Sequence, residues 1–166
     1  MSLFWVVGFV GGDKLRIQVE SPRTADVQAL IEVHVRESVQ VSEVSFALEI
    51  SDLDNTDITF LTARSDEGDL LGMAALKDHH DGTGELKSMR AAQSVRGNGT
   101  GSALLERIVD LAREKGMTEL NLETGVEDFF APARRLYEKR GFVLRGPFAD
   151  YEGEPGSLYY GLALEI

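Results

Sequence analysis

The stretch AQSVRGNGTGSALLERIVDLAREKG, residues 92–116, places three glycines and an asparagine within five positions and then runs directly into an amphipathic pattern. Leu104, Leu105, Ile108, Leu111 and Ala112 recur at helical spacing. That predicts a helix over Ser102 to Lys115 with these residues buried, with Glu106, Arg107, Asp110 and Arg113 toward water. Gly116 is the expected stop. A helix start carries N–H groups without partners in the helix, and a partial positive charge. Gly97, Gly99 and Gly101 leave that backbone bare, so an anion can dock there with Arg96 adding a cation; the same glycines also suit a plain tight turn. Two phosphate loops do not fit. A Walker loop requires Gly-Lys-Ser/Thr, and GNGTGS has no lysine. A dinucleotide fingerprint needs a third glycine where Ser102 stands and a strand before Gly97, where QSVR reads as loop.

Outward from this stretch, helical and strand periods alternate. KLRIQVE (14–20) has the two-residue period of a strand, and SPRTADVQALIEVHVRESV (21–39) brings Val27, Leu30, Ile31 and His34 onto one helical face behind caps at Ser21 or Thr24. A short second helix is expected around Val44 to Ile50. ITFLTAR, LLGMAALKD and GELKSMRAA read as three strands joined at SDEGD and HHDGTG, a meander of antiparallel strands. After the glycine-led helix come a strand TELNLET, a helix from about Pro132 to Arg140 stopped by Gly141, and closing strands FVLRG and SLYYGLALE. There is no internal repeat or linker. The fold class is α/β or α+β, one domain over residues 1–166 with a mixed sheet. Residues 1–13 form an N-terminal extension, read as an extra edge strand or a dimer interface.

Composition narrows the function. The chain has 166 residues, 43% of them apolar, enough for a real core. No apolar run approaches the roughly 18 residues of a membrane span, and LFWVVGFV (3–10) has neither a basic start nor a cleavage site, so a soluble protein is expected. Cysteine is absent, which rules out a disulfide framework or a thiolate nucleophile and fits a cytoplasmic setting. A net charge of −11 argues against nucleic acid as a partner.

The run from Arg96 to Gly101, after a strand and before a helix, resembles the R/Q-x-x-G-x-G/A motif of the GNAT superfamily of acyl-CoA-dependent N-acyltransferases. ARRLYEKRGF (133–142) is similar to the superfamily's second signature, a helix with Leu-Tyr followed by Gly-Phe. ELKSM, LETG, FAPARRLY and GPFADY together resemble one bacterial subgroup of GNAT acetyltransferases, and the likeness covers nearly the whole chain after its first dozen residues. The resemblance implies a mostly antiparallel sheet flanked by helices and acetyl-CoA as acyl donor, with no metal. It implies that backbone groups of Arg96, Gly97, Asn98, Gly99, Thr100 and Gly101 hold the coenzyme pyrophosphate, with Ser102 at the edge. It further implies that a splayed backbone at Met89, Arg90 and Ala91 polarises the thioester carbonyl. Residues 132–145 carry five cations against Glu138 alone, which suits an anionic nucleotide.

Tyr137 stands where the superfamily places the hydroxyl facing the coenzyme sulfur, which implies a catalytic role as proton donor to the leaving thiolate; on its own helix it shares a face with Ala133 and Leu136, as a core aromatic also would. The acceptor poses the harder problem. An amine of pKa about 10.4 is neutral in only about one molecule in 2,500 at pH 7, a penalty of roughly 4.6 kcal/mol that a base must help remove. Glu85 is the leading candidate, on one strand face with Lys87, Met89 and Ala91 by the two-residue period, though Lys87 could simply pair with it. Glu123 is second. His34 reads first as a packing residue and DHHD (78–81) as a solvated loop. Residues 20–72 hold twelve Asp or Glu against three Arg, which favours a cationic acceptor as much as it favours solubility. The expected activity is acetyl transfer to a primary amine of a small molecule or peptide by direct attack in a ternary complex, the alternative being a non-catalytic acyl-CoA sensor.

Overall fold

The computed structural model describes residues 5–10, 13–38, 49–92 and 99–165. Its strands are β1 (Trp5–Val10), β2 (Asp13–Val19), β3 (Ile58–Ser65), β4 (Leu70–Asp78), β5 (Thr83–Ala91), β6 (Glu119–Gly125), β7 (Val143–Arg145) and β8 (Ser157–Ala163). The helices are α1 (Ala25–Ser38), α2 (Thr100–Glu114) and α3 (Ala131–Arg140), the last entered through a 3-10 turn at Asp128–Phe130. The strands hydrogen bond in the order β1-β2-β3-β4-β5-β6-β8-β7. Pairing is antiparallel for β1 with β2, β2 with β3, β6 with β8 and β7 with β8, and parallel for β5 with β6. The parallel pair, β5 with β6, is connected through α2, as a parallel crossover requires. The mixed, mostly antiparallel sheet agrees with the sequence reading, and Trp5–Val10 of the N-terminal extension form its edge strand β1. Of the expected second helix, residues 49–53 are helical and residues 44–48 lie outside the described residues.

The chain divides into two compact units, residues 1–76 with 88–108 and residues 77–87 with 109–166. In the first, α1 buries Val27, Ile31 and Val35 in a cluster with Ile50, Leu53, Phe60, Met73 and Ala75. The spacing of these α1 residues is the helical face seen in the sequence. Its start is fixed by polar bonds: the Asp26 carboxylate accepts the Val27 N–H at 2.8 Å, and Arg64 of β3 pairs with Asp26 at 2.7 Å and Glu20 at 2.8 Å. Thr24 rather than Ser21 occupies the cap position, its carbonyl accepting the Gln28 N–H at 2.9 Å. The second unit buries Met117, Leu120, Leu122, Tyr137, Phe142, Phe148, Tyr159, Tyr160 and Leu164.

Three sequence expectations need correction. Helix α2 begins at Thr100, not Ser102, because the Gly99 carbonyl accepts the Ala103 N–H at 3.0 Å and closes the first turn there. Arg107, expected in water, is 8% exposed. The period of two along β5 breaks at Ser88, which takes a left-handed φ of 53°. Such a conformation costs a non-glycine residue roughly 1–3 kcal/mol. The Ser88 hydroxyl donates to Glu49 at 2.6 Å, which helps hold it. Met89 and Ala91 therefore cannot be assigned to the face of Glu85 by counting in twos.

Gly72 on β4 sits at a point of close packing in the first unit. A Cβ there would lie 2.9 Å from the Arg90 carbonyl oxygen and from Leu104 Cδ1, and 3.2 Å from Thr100 Cγ2. Gly72→Ala is expected to cost about 1–3 kcal/mol, read as a lower urea midpoint at unchanged m-value. His34 is half-buried on α1, and burial, then the nearby Arg90 charge, lower its pKa from 6.5 to about 4 against the opposing pull of Glu37. A depressed histidine is neutral in the fold and takes up a proton on unfolding. Stability is thus fully present above pH 6.5 and falls as pH drops toward 4. Denaturation of wild type and His34→Gln across that range should show a shallower pH slope in the variant.

Candidate active site

The start of α2 is bare backbone. Gly99 has φ 90°, and a Cβ on it would meet nothing within 4 Å. The first-turn N–H groups at Thr100, Gly101 and Ser102 lie where a helix has no partners of its own. Thr100 is 1% exposed, and its hydroxyl has no hydrogen-bond partner among the described residues. A buried donor left unmet at a helix start suits an anionic oxygen arriving from outside. Arg96, Gly97 and Asn98 lie outside the described residues.

On β5, the buried Arg90 side chain pairs with Glu37 of α1. Its cation is therefore engaged within the first unit. Met89 and Ala91 are half-buried.

In the second unit, β4, β5 and a C-terminal turn converge on Glu85. The hairpin between β4 and β5 is closed by the His79 N–H on the Thr83 carbonyl at 3.2 Å. Residues of like parity on the two strands then share a face, and diagonal neighbours come within reach. His79 Nε2 lies 3.0 Å from Glu85 Oε1. The second carboxylate oxygen accepts the Tyr151 hydroxyl at 2.5 Å. Glu85 is 3% exposed, so these two donors replace the water that burial removed.

Tyr151 is aimed by a tight turn. Its N–H reaches the Phe148 carbonyl at 3.0 Å, and Ala149 between them has φ 50°. Its ring packs 4.9 Å from Phe148 and 5.5 Å from Tyr159. Burial, then the bond to Glu85, push the Tyr151 phenol well above its ordinary pKa, so it holds its proton and donates. An open pocket of about 160 Å³ is lined by Lys77, His79, Glu85, Lys87, Ala149, Asp150 and Tyr151. Glu123, on β6, accepts the Ser157 hydroxyl at 3.3 Å. Loss of solvent raises its pKa; Glu85's charge adds to this, while the Ser157 bond and Lys87 oppose it.

Tyr137 is buried on α3, its ring 5.9 Å from Phe142 and 6.5 Å from Tyr160. Burial raises its pKa far above 10, so it keeps its proton across the physiological range. Two of the nearby cations have structural duties. Arg134 donates to the carbonyls of Gly125 and Glu127 at 2.6 and 2.9 Å. Arg145 pairs with Glu119, bonds Asn121 at 2.9 Å and lies over Phe148, 5.7 Å from the ring centroid.

Of the residues singled out in the sequence, the second unit brings Glu85 near Glu123, and Tyr137 is placed as a buried aromatic. His79 departs from the solvated-loop reading, because the hairpin turns it toward Glu85 instead of water. The signal was present: two residues of odd number either side of an Asp-Gly turn face the same way. Tyr151 had no role in the sequence reading, since nothing local links it to a carboxylate 66 residues earlier.

Residues 22–142 match the model of the Acetyltransferase (GNAT) family. The uncharacterized N-acetyltransferase YedL of Escherichia coli K12 is 39% identical over 140 residues, covering 83% of this chain and 87% of that protein. An IAA acetyltransferase of Azospirillum brasilense is 41% identical over 143 residues, covering 84% and 92%. A crystal structure assigned as an acyl-CoA N-acyltransferase from Klebsiella pneumoniae superposes with a TM-score of 0.76 at 27% identity, over 91% of this chain and 98% of that one.

Proposed function

The chain belongs to the GNAT family of acetyltransferases and is an acetyl-CoA-dependent N-acetyltransferase, and on that premise we propose that all 166 residues act as one cytoplasmic catalytic domain with Glu85 as the base that frees the acceptor amine. The acceptor is a small molecule or peptide presenting a primary amine, which arrives protonated at neutral pH. The observation that supports this reading above others is Glu85 itself: a carboxylate held rigidly by two donors on the wall of an open pocket.

The reaction is a direct transfer, because the chain has no cysteine to carry the acyl group. Glu85 takes a proton from the ammonium. The nitrogen lone pair then attacks the thioester carbonyl, and the oxyanion that forms is met by backbone N–H groups in Met89–Ala91. Collapse breaks the carbon–sulfur bond. The leaving thiolate takes the Tyr137 proton, and the second proton on nitrogen makes good that loss. The proton that Glu85 gains leaves through the open pocket that Glu85 lines. Glu123, second in line as a base, keeps a supporting electrostatic role. The coenzyme pyrophosphate sits on the backbone from Arg96 to Gly101 with Ser102 at the edge, the Thr100 hydroxyl completing the cradle.

Free-thiol release from acetyl-CoA tests this directly, because a chain without cysteine contributes no background to a thiol reagent. Glu85→Gln preserves shape and removes the base, and should lower kcat about 10²- to 10⁴-fold while acetyl-CoA binding by calorimetry stays the same. Tyr137→Phe should lower kcat about 10- to 100-fold, with the deficit shrinking for thioesters whose thiols are more acidic. A wild-type-like kcat in Glu85→Gln would remove Glu85 from the mechanism.

A further inference from the structure

The pocket that holds Glu85 is built from both signs of charge. Lys77 on β4 and Lys87 on β5 line it together with Glu85 and Asp150. Lys77 is half-buried in its strand and has no hydrogen-bond or ion-pair partner among the described residues. An ammonium that lines a pocket without such a partner has its attraction to anions still available. Lys87 stands close enough to Glu123 for its charge to act on that carboxylate, so Lys77 is the stronger candidate for meeting a ligand.

A polyamine, or a lysine side chain with only cationic surroundings, would bring like charge against these two lysines. A molecule with an anion a few bonds from its amine would meet opposite charges at both ends. We propose that the acceptor is a small amino-acid-like molecule whose primary amine is delivered to Glu85 and whose carboxylate is bound by Lys77, with Lys87 in support. This rests on the reading of the Glu85 pocket as the acceptor site. The pocket volume of about 160 Å³ has room for the amine and carboxylate ends of a compact molecule. Asp150, on the turn that aims Tyr151, lines the same pocket and adds a negative charge to the side that takes the ammonium. The acidity of residues 20–72 had favoured a cationic acceptor. The pocket keeps a cation at the reacting end and adds an anion beside it.

Thiol release is measured with free amino acids of small to medium side chain, each against its own C-terminal amide and its decarboxylated amine. The acid is expected to exceed the amide and the amine in kcat/KM by at least about tenfold, the order that one charged contact supplies. Lys77→Met should bring that ratio down toward one, mostly through KM for the acid, and Lys77→Arg should restore most of it. Thermal unfolding of both variants separates loss of fold from loss of preference. Amides or decarboxylated amines turned over as well as the acids, or an acid preference unchanged in Lys77→Met, would overturn this inference and leave the proposed function standing. No release with any amine, with acetyl-CoA still bound, would bring down the proposed function and this inference with it.

Discussion

A carboxylate withdrawn from water must have its lone pairs met by donors, and that demand organises the second unit around Glu85. Both donors come from elements whose geometry is set for other reasons. His79 is delivered by a hairpin whose last hydrogen bond fixes the register, and Tyr151 by a four-residue turn pinned under two aromatic rings. The packing of Phe148 against Tyr151 therefore helps set where the Glu85 carboxylate finds its second donor. Arg145, laid over that ring and tied to Glu119 and Asn121, extends the support to β6. Gly161 on β8 makes room for it, since a Cβ there would lie 2.8 Å from Asn121 Oδ1.

Charge behaves differently in three dimensions from its sum along the chain. The acidic stretch of residues 20–72 looks like a field for attracting cations. Much of it has internal partners: Glu20 and Asp26 on Arg64, Glu37 on Arg90, Glu49 on Ser88, Asp54 on Arg23. The basic run of residues 132–145 is similarly divided, with Arg134 and Arg145 fastening backbone and side chains. Local net charge foretold a tendency, while the partner each charged group finds in the fold sets what it is left to do.

How far the molecule could be read from its sequence follows from how local each signal is. The amphipathic stripe of α2, the stops at Gly116 and Gly141, with φ 77° and 107°, and the glycine-bare helix start are written within a few residues and were legible. Glu85 was legible too, through its place on a strand beside Lys87. The failures share one cause. Alternation along β5 holds only until Ser88 leaves the extended region, the start of α2 depends on which carbonyl accepts first, and Tyr151 meets Glu85 across most of the chain's second half. None of these is a property of nearby residue types.

Gly72 carries an implication for how this chain can change over time. Its missing side chain leaves room for two neighbours of different kinds, a leucine methyl and a main-chain carbonyl. A leucine can be exchanged for something shorter, so one of the two obstacles yields to a compensating mutation. The carbonyl of Arg90 belongs to the backbone and is the same atom whatever residue stands at 90. No second substitution can trim it, and the position is closed to drift from one side while remaining negotiable from the other.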